Sequence, residues 1–175
     1  MTSDLNKGIT DIQYNCLNLP QLIEINSPNA EARVKYTYSA SGQKLRVDRA
    51  ANLAREQAPV TGDEAIKAII GQPVRDGFLG SLHVTDYVGN KVYEQGNLRR
   101  ILVDGGYIEG GIYHFYITYH LGNNRTVLNS SGGVVQDNHY YPFGMFFSAG
   151  TNNHAQPYKY NGKELDQMHG LNLYD

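Results

Sequence analysis

Histidine is the residue type in this chain that most suggests a chemical role, because six are present beside a single cysteine. His114 and His120 are separated by an even number of residues, so they would share one face of a strand. Six residues of strand span about 20 Å, however, which is too far for two side chains to hold the same ion. A zinc site would need ligands from other strands, and the chain has no HExxH spacing. We therefore expect single core or surface histidines, with no metal and no cofactor.

A pair of carboxylates offers a second kind of chemistry. On a strand, Glu164 and Asp166 would point the same way, at a distance compatible with a general acid and base. Lys163 beside them favours a charged turn instead, and nothing nearby indicates a buried pocket that would shift a carboxyl pKa. Cys16 could act as a thiol nucleophile with a histidine base, but it lies in a turn-rich link without the signature of a catalytic cysteine. The sequence predicts no enzyme activity and no catalytic residue.

Glycine pairs and tyrosines complete the candidates. The glycine pairs at 105–106, 110–111 and 132–133 fit neither of the phosphate-loop patterns GxGxxG and GxxxxGKS/T. The Gly-Lys dipeptide at 162–163 is followed by glutamate rather than by serine or threonine. All of these glycines therefore predict turns rather than phosphate loops. The 14 tyrosines would form a sugar-binding platform if several lay exposed on one face. Tyrosines in stacked strands more often form ladders between neighbouring strands, and we favour that interpretation.

The elements that would position these residues follow from a recurring pattern of tyrosine, turn residues and glycine. It runs from Tyr36 to Leu45, from Asp86 to Leu98, and from Tyr119 to Arg125. Tyrosine suits a half-buried pleated surface, while Ser-Gly, Gly-Asn and Gln-Gly-Asn supply the positive φ of tight turns. Each copy predicts a hairpin. Because one hairpin cannot bury its apolar face alone, several must be stacked.

Alternating apolar and polar residues place the strands between these turns. The chain is 18% charged, with 19 Gly and no Trp, which favours a turn-rich β protein over a helical one. The predicted fold class is mainly β, an antiparallel hairpin or meander strip of repeats. The predicted strands are Ile9–Tyr14, Gln21–Ile25, Arg33–Tyr38, Gln43–Val47, Leu82–Tyr87, Lys91–Glu94, Leu98–Val103, Tyr107–Glu109, Ile112–Tyr119, Arg125–Asn129 and Val134–Tyr140.

Residues 49–80 interrupt the strand pattern. The stretch from Arg49 to Glu56 has helical composition, and Thr61 to Glu64 forms a capping box ahead of an apolar run. The sequence therefore predicts a short helical insert. It could serve as a lid or binding element, but a helix packed across an open sheet edge is the more common use of such a segment, and we favour it.

Charge and targeting features exclude several function classes. The formal net charge is −2 and the pI about 6.3, without a run of Lys or Arg, which argues against nucleic-acid binding. The N-terminal residues lack a basic segment followed by an apolar run, and no stretch of 18 apolar residues occurs. We expect a soluble chain with no export signal of its own and no membrane insertion.

The C-terminal half carries linked motifs that resemble a known family. Tyr119–Arg125 (YHLGNNR), Tyr140–Gly144 (YYPFG) and Tyr160–Asp166 (YNGKELD) resemble the core region of Rhs and YD-repeat proteins. Upstream, Lys7–Pro20 and Tyr36–Val47 are similar to the repeats that precede this core in Bacteroides members of the family. The motif residues, which the resemblance makes structural, are Tyr36, Tyr38, Gly42, Tyr87, Gly89, His120, Gly122, Asn123, Arg125, Tyr141, Pro142, Phe143, Gly144, Tyr160, Gly162, Lys163, Glu164 and Gly170.

The resemblance implies a β-sheet strip that winds into a hollow shell around a C-terminal toxin or effector, as in secreted or cell-surface polymorphic toxins of bacteria. This chain would be an incomplete section of the wall: repeat hairpins at 1–48, the helical insert at 49–80 and a core segment at 81–175. The core of the family continues further, so its self-cleaving aspartates and toxin have no counterparts to assign. The partners would be the rest of the parent shell and its cargo, with self-association through open strand edges.

Two functions of different classes fit these observations. The first is a non-catalytic structural segment of a YD-repeat shell that encapsulates or presents cargo. The second is an adhesin-like module that binds a cell-surface glycan or protein through a tyrosine-rich face or the insert. The tyrosine rings distinguish the two, because rings interleaved across strands favour the wall and rings clustered toward solvent favour adhesion.

Overall fold

The computed structural model describes residues 1–27, 31–52, 74, 79–141, 144–145, 152, 155–166 and 173–174. The chain divides into two compact units, Met1–Asn97 and Leu98–Asp175, which are described in turn. Within the described ranges, eleven strands form one antiparallel meander in which sheet order follows chain order, and two further strands form a small separate sheet. The predicted fold class, mainly β, is confirmed.

All eleven predicted strands are present. The largest differences lie at two ends, because β4 continues to Ala51 and β11 stops at Asp137. The helical elements that lie wholly within the described residues are the 3-10 turns Leu5–Lys7 and Tyr160–Gly162. No helix in the described part of the chain is long and apolar enough to cross a membrane. The strands are β1 (Ile9–Tyr14), β2 (Pro20–Asn26), β3 (Glu31–Tyr38), β4 (Lys44–Ala51), β5 (Ser81–Val88), β6 (Lys91–Glu94), β7 (Asn97–Val103), β8 (Gly106–Glu109), β9 (Ile112–Thr118), β10 (Asn124–Asn129), β11 (Val134–Asp137), β12 (Leu165–Asp166) and β13 (Leu173–Tyr174).

Alternation along the strands of the first unit gives its sheet one apolar face. Ile23 lies opposite Val34 across β2 and β3, and Tyr36 lies opposite Val47 across β3 and β4. Each of these four side chains is at most 5% exposed. Residues of this kind fill a pleated, buried surface well, which is why the period-two pattern of the sequence located the strands correctly.

The opposite face of the first unit carries ion pairs, both within and between strands. Arg33 Nη2 lies 2.7 Å from Glu24 Oε1, its register partner on β2. Arg46 Nε donates to Asp48 Oδ1 at 2.7 Å, and its Nη1 lies 3.6 Å from Asp86 Oδ1 on β5. Such exposed or partly exposed pairs contribute little to stability, but opposite charges across neighbouring strands favour the observed register.

The predicted start of the helical insert is wrong. Arg49 to Ala51 are the last residues of β4, which pairs with β5 as far as Ala51↔Ser81. Arg49 is 7% exposed, and its Nη1 donates to Thr85 Oγ1 at 3.1 Å across the pair. Burial and strand pairing outweigh the high helical propensity of Arg-Ala-Ala. Most of the remaining insert, including the capping box, lies outside the described residues.

The N-terminal residues run back along the outer edge of β1. Asp4 and Ile9 exchange two backbone hydrogen bonds of 2.9 Å, and the Ile12 amide donates to the Thr2 carbonyl at 2.8 Å. The 3-10 turn Leu5–Lys7 reverses the chain between these points. Although open strand edges were expected, the outer edge of β1 is thus partly paired by the chain itself.

In the second unit, β8 and β9 approach each other closely at Gly106. A Cβ added at Gly106 would lie 1.9 Å from the carbonyl oxygen of His114. No side chain can be accommodated there without moving the β9 backbone, so this glycine is fixed by packing rather than by turn geometry.

Candidate functional site

Three motifs recognised in the sequence come together in the second unit. Residues 155–166, which we call the C-terminal strap, lie against strands β10 and β11 and are bonded to them through buried polar groups. The strap contains the 3-10 turn Tyr160–Gly162 and strand β12, which pairs with β13. These contacts define the candidate site.

Asn123 joins the turn after Tyr119 to the turn of the strap. Its side chain is fully buried, its Oδ1 accepts from the backbone amide of Asn161 at 2.7 Å, and its Nδ2 donates to the hydroxyl of Tyr119. Asn161 has φ 52°, a left-handed conformation that asparagine tolerates better than most residues. One side-chain amide, engaged at both ends, therefore holds two motifs together.

Asn124, the first residue of β10, extends this junction. Its backbone amide donates to the Lys159 carbonyl at 3.1 Å, and its Nδ2 donates to the Tyr158 carbonyl at 2.8 Å. Its own carbonyl oxygen accepts from Asn138 Nδ2 at 3.0 Å and from the Tyr140 hydroxyl at 2.7 Å. Because Asn124 is 2% exposed, removal of any one partner would leave another polar group buried and unsatisfied.

Gln136 of β11 and Gln156 of the strap form a pair with no exposed surface. Gln156 Nε2 donates to Gln136 Oε1 at 2.7 Å, and Gln136 Nε2 donates to the Asn152 carbonyl at 3.0 Å. Gln156 Oε1 in turn accepts from the Tyr158 backbone amide at 2.6 Å. A buried amide network is favourable only when every member is satisfied, so this pair specifies a single register for the strap.

Tyr160 packs on the glycine that ends the YYPFG motif. Gly144 has φ 86°, and a Cβ there would lie 2.7 Å from Cγ of Tyr160. The rings of Tyr140 and Tyr174 stand 6.0 and 5.9 Å from that of Tyr160, and the Tyr174 hydroxyl donates to the Gly144 carbonyl at 2.8 Å. Both the positive φ and the close approach of the ring require glycine at this position.

Arg100 on β7 anchors the start of the strap. It is 5% exposed, its Nε donates to Glu109 Oε2 at 2.9 Å, and its Nη2 donates to the Ala155 carbonyl at 3.0 Å. The guanidinium lies 5.8 Å from the ring centroid of Tyr107, which stacks on His114 at 4.5 Å. The buried charge is therefore both paired and hydrogen-bonded, as its loss of hydration demands.

Burial changes the acid–base behaviour of this unit. Lys159 has no exposed surface, and the loss of hydration lowers its pKa to about 8. Burial raises the pKa of Tyr107 and of Tyr174 to about 12, and burial also raises the pKa of Tyr140. These tyrosines remain protonated hydrogen-bond donors at neutral pH.

The two histidines considered as metal ligands do not share a strand. His114 lies in β9, which ends at Thr118, and His120 lies in the following turn, where the Gly122 amide donates to the Tyr119 carbonyl at 2.8 Å. The prediction that His114 and His120 share one face of a strand is wrong, because the chain enters a turn before it reaches His120. Among the described residues, no group of three or more His, Cys, Asp or Glu side chains is placed to hold a metal ion.

The remaining chemical candidates are the two carboxylates of the strap and the cysteine of the first unit. Glu164 forms an isolated bridge with Tyr158, and Asp166 is a 6% exposed residue of β12. Cys16 is exposed and belongs to an open cleft of about 410 Å³ in the first unit, which Tyr38 also lines.

The motif residues of the first unit occupy hairpins. Tyr36 and Tyr38 stack along β3 with ring centroids 6.2 Å apart, and Gly42 lies in the turn between β3 and β4. Lys44 Nζ lies 4.8 Å from the ring centroid of Tyr87 across β4 and β5. Gly89 closes the β5–β6 turn with φ 61°.

Further motif residues of the second unit lie in β10 and in the strap. Arg125 Nη2 lies 3.1 Å from His139 Nδ1, and the backbone amide of Lys159 donates to the Lys163 carbonyl at 2.9 Å. Gly162 belongs to the 3-10 turn of the strap. Pro142, Phe143 and Gly170 lie outside the described residues.

The tyrosine rings are mostly interleaved with the sheet. Only Tyr14 and Tyr141 of the 14 tyrosines, all of which are described, are exposed, at 38% and 43%. Tyr107 and Tyr116 meet across β8 and β9 with centroids 5.7 Å apart. The positions favour the ladder interpretation over a solvent-facing platform.

The sequence reasoning missed the buried polar residues that hold the strap. A polar residue beside valines in a strand, such as Gln136, is ordinarily expected to face solvent. Gln156 and Asn138 lie in irregular segments without a periodic signal. Lys159 stands directly before the YNGKELD motif, and this adjacency was the one signal available for any of them.

Comparison with known proteins identifies similar folds. No family model and no curated protein matches the chain. The crystal structure of TcdB2-TccC3 matches with a TM-score of 0.60 over 95% of this chain, at 16% identity. The structure of the Photorhabdus luminescens Tc holotoxin pore matches with a TM-score of 0.59 over 94%, at 15% identity. This chain corresponds to 8% of the length of each of those chains. At this level of identity the likeness shows a shared fold.

Proposed function

We propose that this chain is a non-catalytic structural section of a YD-repeat or Rhs shell that encapsulates or presents a C-terminal toxin or effector. The observation that carries the proposal is the convergence of the YHLGNNR, YYPFG and YNGKELD motifs on one another at the strap. Side chains that carry out a reaction would face a cleft, whereas these residues hold one stretch of backbone against a sheet.

The contacts themselves support a wall rather than an active site. The Asn123 side chain bridges two turns, and Gly144 makes room for the Tyr160 ring. Asn123 and Gly144 are buried, and each contacts a residue of the strap. Residues with such roles would preserve the shape of a shell across repeats.

The similarity to solved structures also supports the proposal. The matching structures are named as a Tc holotoxin pore and as TcdB2-TccC3 complexes, and this chain matches a small section of those long chains. By analogy, the chain would act as part of a larger parent, secreted or on the cell surface, with the rest of the shell and its cargo as partners.

The adhesin-like alternative lacks a comparable observation. Tyr14 and Tyr141, the two exposed tyrosines, belong to different units, and Tyr14 already donates its hydroxyl to the Met1 carbonyl at 2.6 Å. A glycan platform needs several aromatic faces presented together.

A chimera tests the proposal. This chain replaces the structurally matching section of TcdB2-TccC3, and assembly of the complex and protease resistance of its C-terminal region are measured. We expect assembly and protection to survive, and we expect both to be lost in the same chimera carrying Gly106→Ala. In parallel, the isolated chain is applied to a glycan array. Specific glycan binding that disappears in a Tyr14→Ala or Tyr141→Ala variant, together with a folded chimera that does not assemble, would overturn the shell function.

A further inference from the structure

The outer edge of β1 is held by a short segment of the same chain. Residues 1–8, which we call the edge segment, supply the two Asp4–Ile9 backbone bonds and the bond from the Ile12 amide to the Thr2 carbonyl. The edge segment thus occupies the position of a neighbouring antiparallel strand, and the Asp4↔Ile9 pairing is itself an antiparallel bridge. These bonds show that the edge of β1 accepts a strand.

The edge segment is bound loosely. Its 3-10 turn contains no buried residue, and Met1 and Leu5 are 78% and 53% exposed. Three backbone bonds and the hydroxyl contact from Tyr14 join it to β1, and at its end the Gly8 carbonyl accepts from the Asn26 amide of β2 at 2.7 Å. Residues 1–7 are all exposed or half-buried, so they add little apolar burial. Segments with so little buried surface open at small free-energy cost.

We propose that β1 is a strand-acceptor surface whose partner is β1 of a second copy of this chain, which pairs with it when the edge segment swings away. An open strand edge presents unpaired amides and carbonyls, and strand addition satisfies them. The inference stands apart from the shell function, because it depends only on the geometry of the β1 edge.

Backbone direction and side-chain chemistry select one register. The Ile12 amide points outward, since it donates to the edge segment and not to β2. In an antiparallel pair, directly opposite residues share a face. Placing Ile12 opposite Ile12 of the second copy makes a hydrogen-bonded pair at the two-fold axis and keeps the apolar face continuous. It also places Asp11 of each copy opposite Gln13 of the other.

This register is also the electrostatically favourable one. Asp11 and Gln13 lie on the same face and are already hydrogen-bonded within β1, from Nε2 to Oδ2 at 3.0 Å. A register shifted by one pair would set the two Asp11 carboxylates against each other, which is unfavourable. The symmetric pairing through Ile12 avoids that repulsion and forms a closed dimer rather than a filament.

Removal of the edge segment is the first test. We compare the full chain with a variant lacking Met1–Asp4 by size exclusion with light scattering over a range of concentrations, with circular dichroism to confirm retained strand structure. The deletion variant should dimerise at concentrations at least about 10-fold lower than the full chain. In that background, Gln13→Lys should tighten the dimer and Gln13→Glu should weaken it, each by about 2- to 10-fold, because residue 13 faces Asp11.

Disulfide trapping in the full-length chain is the second test, and it does not depend on the deletion folding. With Cys16→Ser as background, Ile12→Cys should yield a dimer under mild oxidation, because paired Cα atoms in this position lie about 5.5 Å apart. Gln13→Cys is the matched control, since its two copies would lie about 8 Å apart and should remain unlinked. A folded deletion variant that stays monomeric throughout, or cross-linking through residue 13 in preference to residue 12, would overturn the proposal.

Discussion

Raising the pH from 7 to 9 should stabilise this protein, because its fully buried lysine can then lose its proton. Burial lowers the pKa of Lys159 to about 8, compared with 10.5 for a hydrated lysine. Between these two values the unfolded chain binds more protons than the folded chain. The free energy of unfolding therefore rises with pH across this window.

The size of the effect follows from the same two pKa values. A difference of about 2.5 pKa units corresponds to about 3 kcal/mol between the protonated and deprotonated limits, and roughly 1.4 kcal/mol of it falls between pH 7 and 9. For a chain of this length, that amounts to an increase in Tm of about 3–6 °C.

Urea unfolding followed by circular dichroism at pH 7, 8 and 9 measures this directly. Lys159→Met keeps an unbranched side chain of similar length and removes the titrating group, so its stability should be nearly independent of pH over this range. It should also be at least as stable as the parent at pH 7, since no buried ammonium needs to be accommodated. A parent profile that is flat or falling from pH 7 to 9, or a rise that persists in Lys159→Met, would refute the reasoning.

The buried tyrosines set the upper limit of the stable range. Burial raises the pKa of Tyr107 and Tyr174 to about 12, above the value near 10 of an exposed phenol. Their contribution to stability is complete below pH 10 and is lost as the pH rises through 10 toward 12. The profile of the parent should therefore have a maximum at about pH 9–10, and Lys159→Met should retain only the alkaline fall.

Three further substitutions test the packing of the second unit by thermal unfolding. Gly106→Ala should lower the free energy of unfolding by more than about 3 kcal/mol, because its Cβ meets a backbone carbonyl. The neighbouring Gly105→Ala faces open space and should lower it by only about 1 kcal/mol, because of its positive φ. Equal losses for the two variants would contradict the geometry. Gly144→Ala should cost about 2–4 kcal/mol through ring overlap and positive φ, and a change below 1 kcal/mol would contradict the contact. Gln156→Leu should cost about 1–3 kcal/mol by leaving the Gln136 amide unsatisfied, and the double Leu variant should cost less than the sum of the two single changes.

The strands were predictable because their determinants are local. Period-two alternation located β1 to β10 to within a few residues, and the Gly-Asn and Gln-Gly-Asn turns separated them where expected. In a meander each strand pairs with its chain neighbour, so sheet order follows once the turns are known. The fold class therefore required no long-range information.

The errors arose where tertiary contacts override local preference. Arg49 has good helical propensity, but a hydrogen bond to Thr85 and burial between β4 and β5 keep it in a strand. His120 continued an alternating pattern, yet the turn closed by Gly122 had already begun. In the first case a residue on another strand determines the structure, and in the second the geometry of the turn does.

The polar core of the candidate site was beyond prediction for a different reason. Gln136, Gln156 and Asn124 become interior residues only because the strap crosses the sheet at that point. Amide side chains carry no periodic signal for such a meeting, and hydropathy places them on the surface. The sequence motifs marked the vicinity of the site but not the residues that hold it together.

The junction of β4 and β5 has a consequence for chain entropy and for how such a protein can change over evolution. Ala51 lies opposite Ser81, and the Gly80 amide donates to the Ala51 carbonyl at 3.1 Å, so residues 52–80 leave and re-enter the sheet at adjacent points. Compared with a two-residue turn, closing a loop of this length costs only about 2 kcal/mol of extra entropy. The sheet can therefore gain, lose or exchange an entire segment here while its pairing on either side stays unchanged, which makes this hairpin a place where new sequence enters the protein at little cost to its fold.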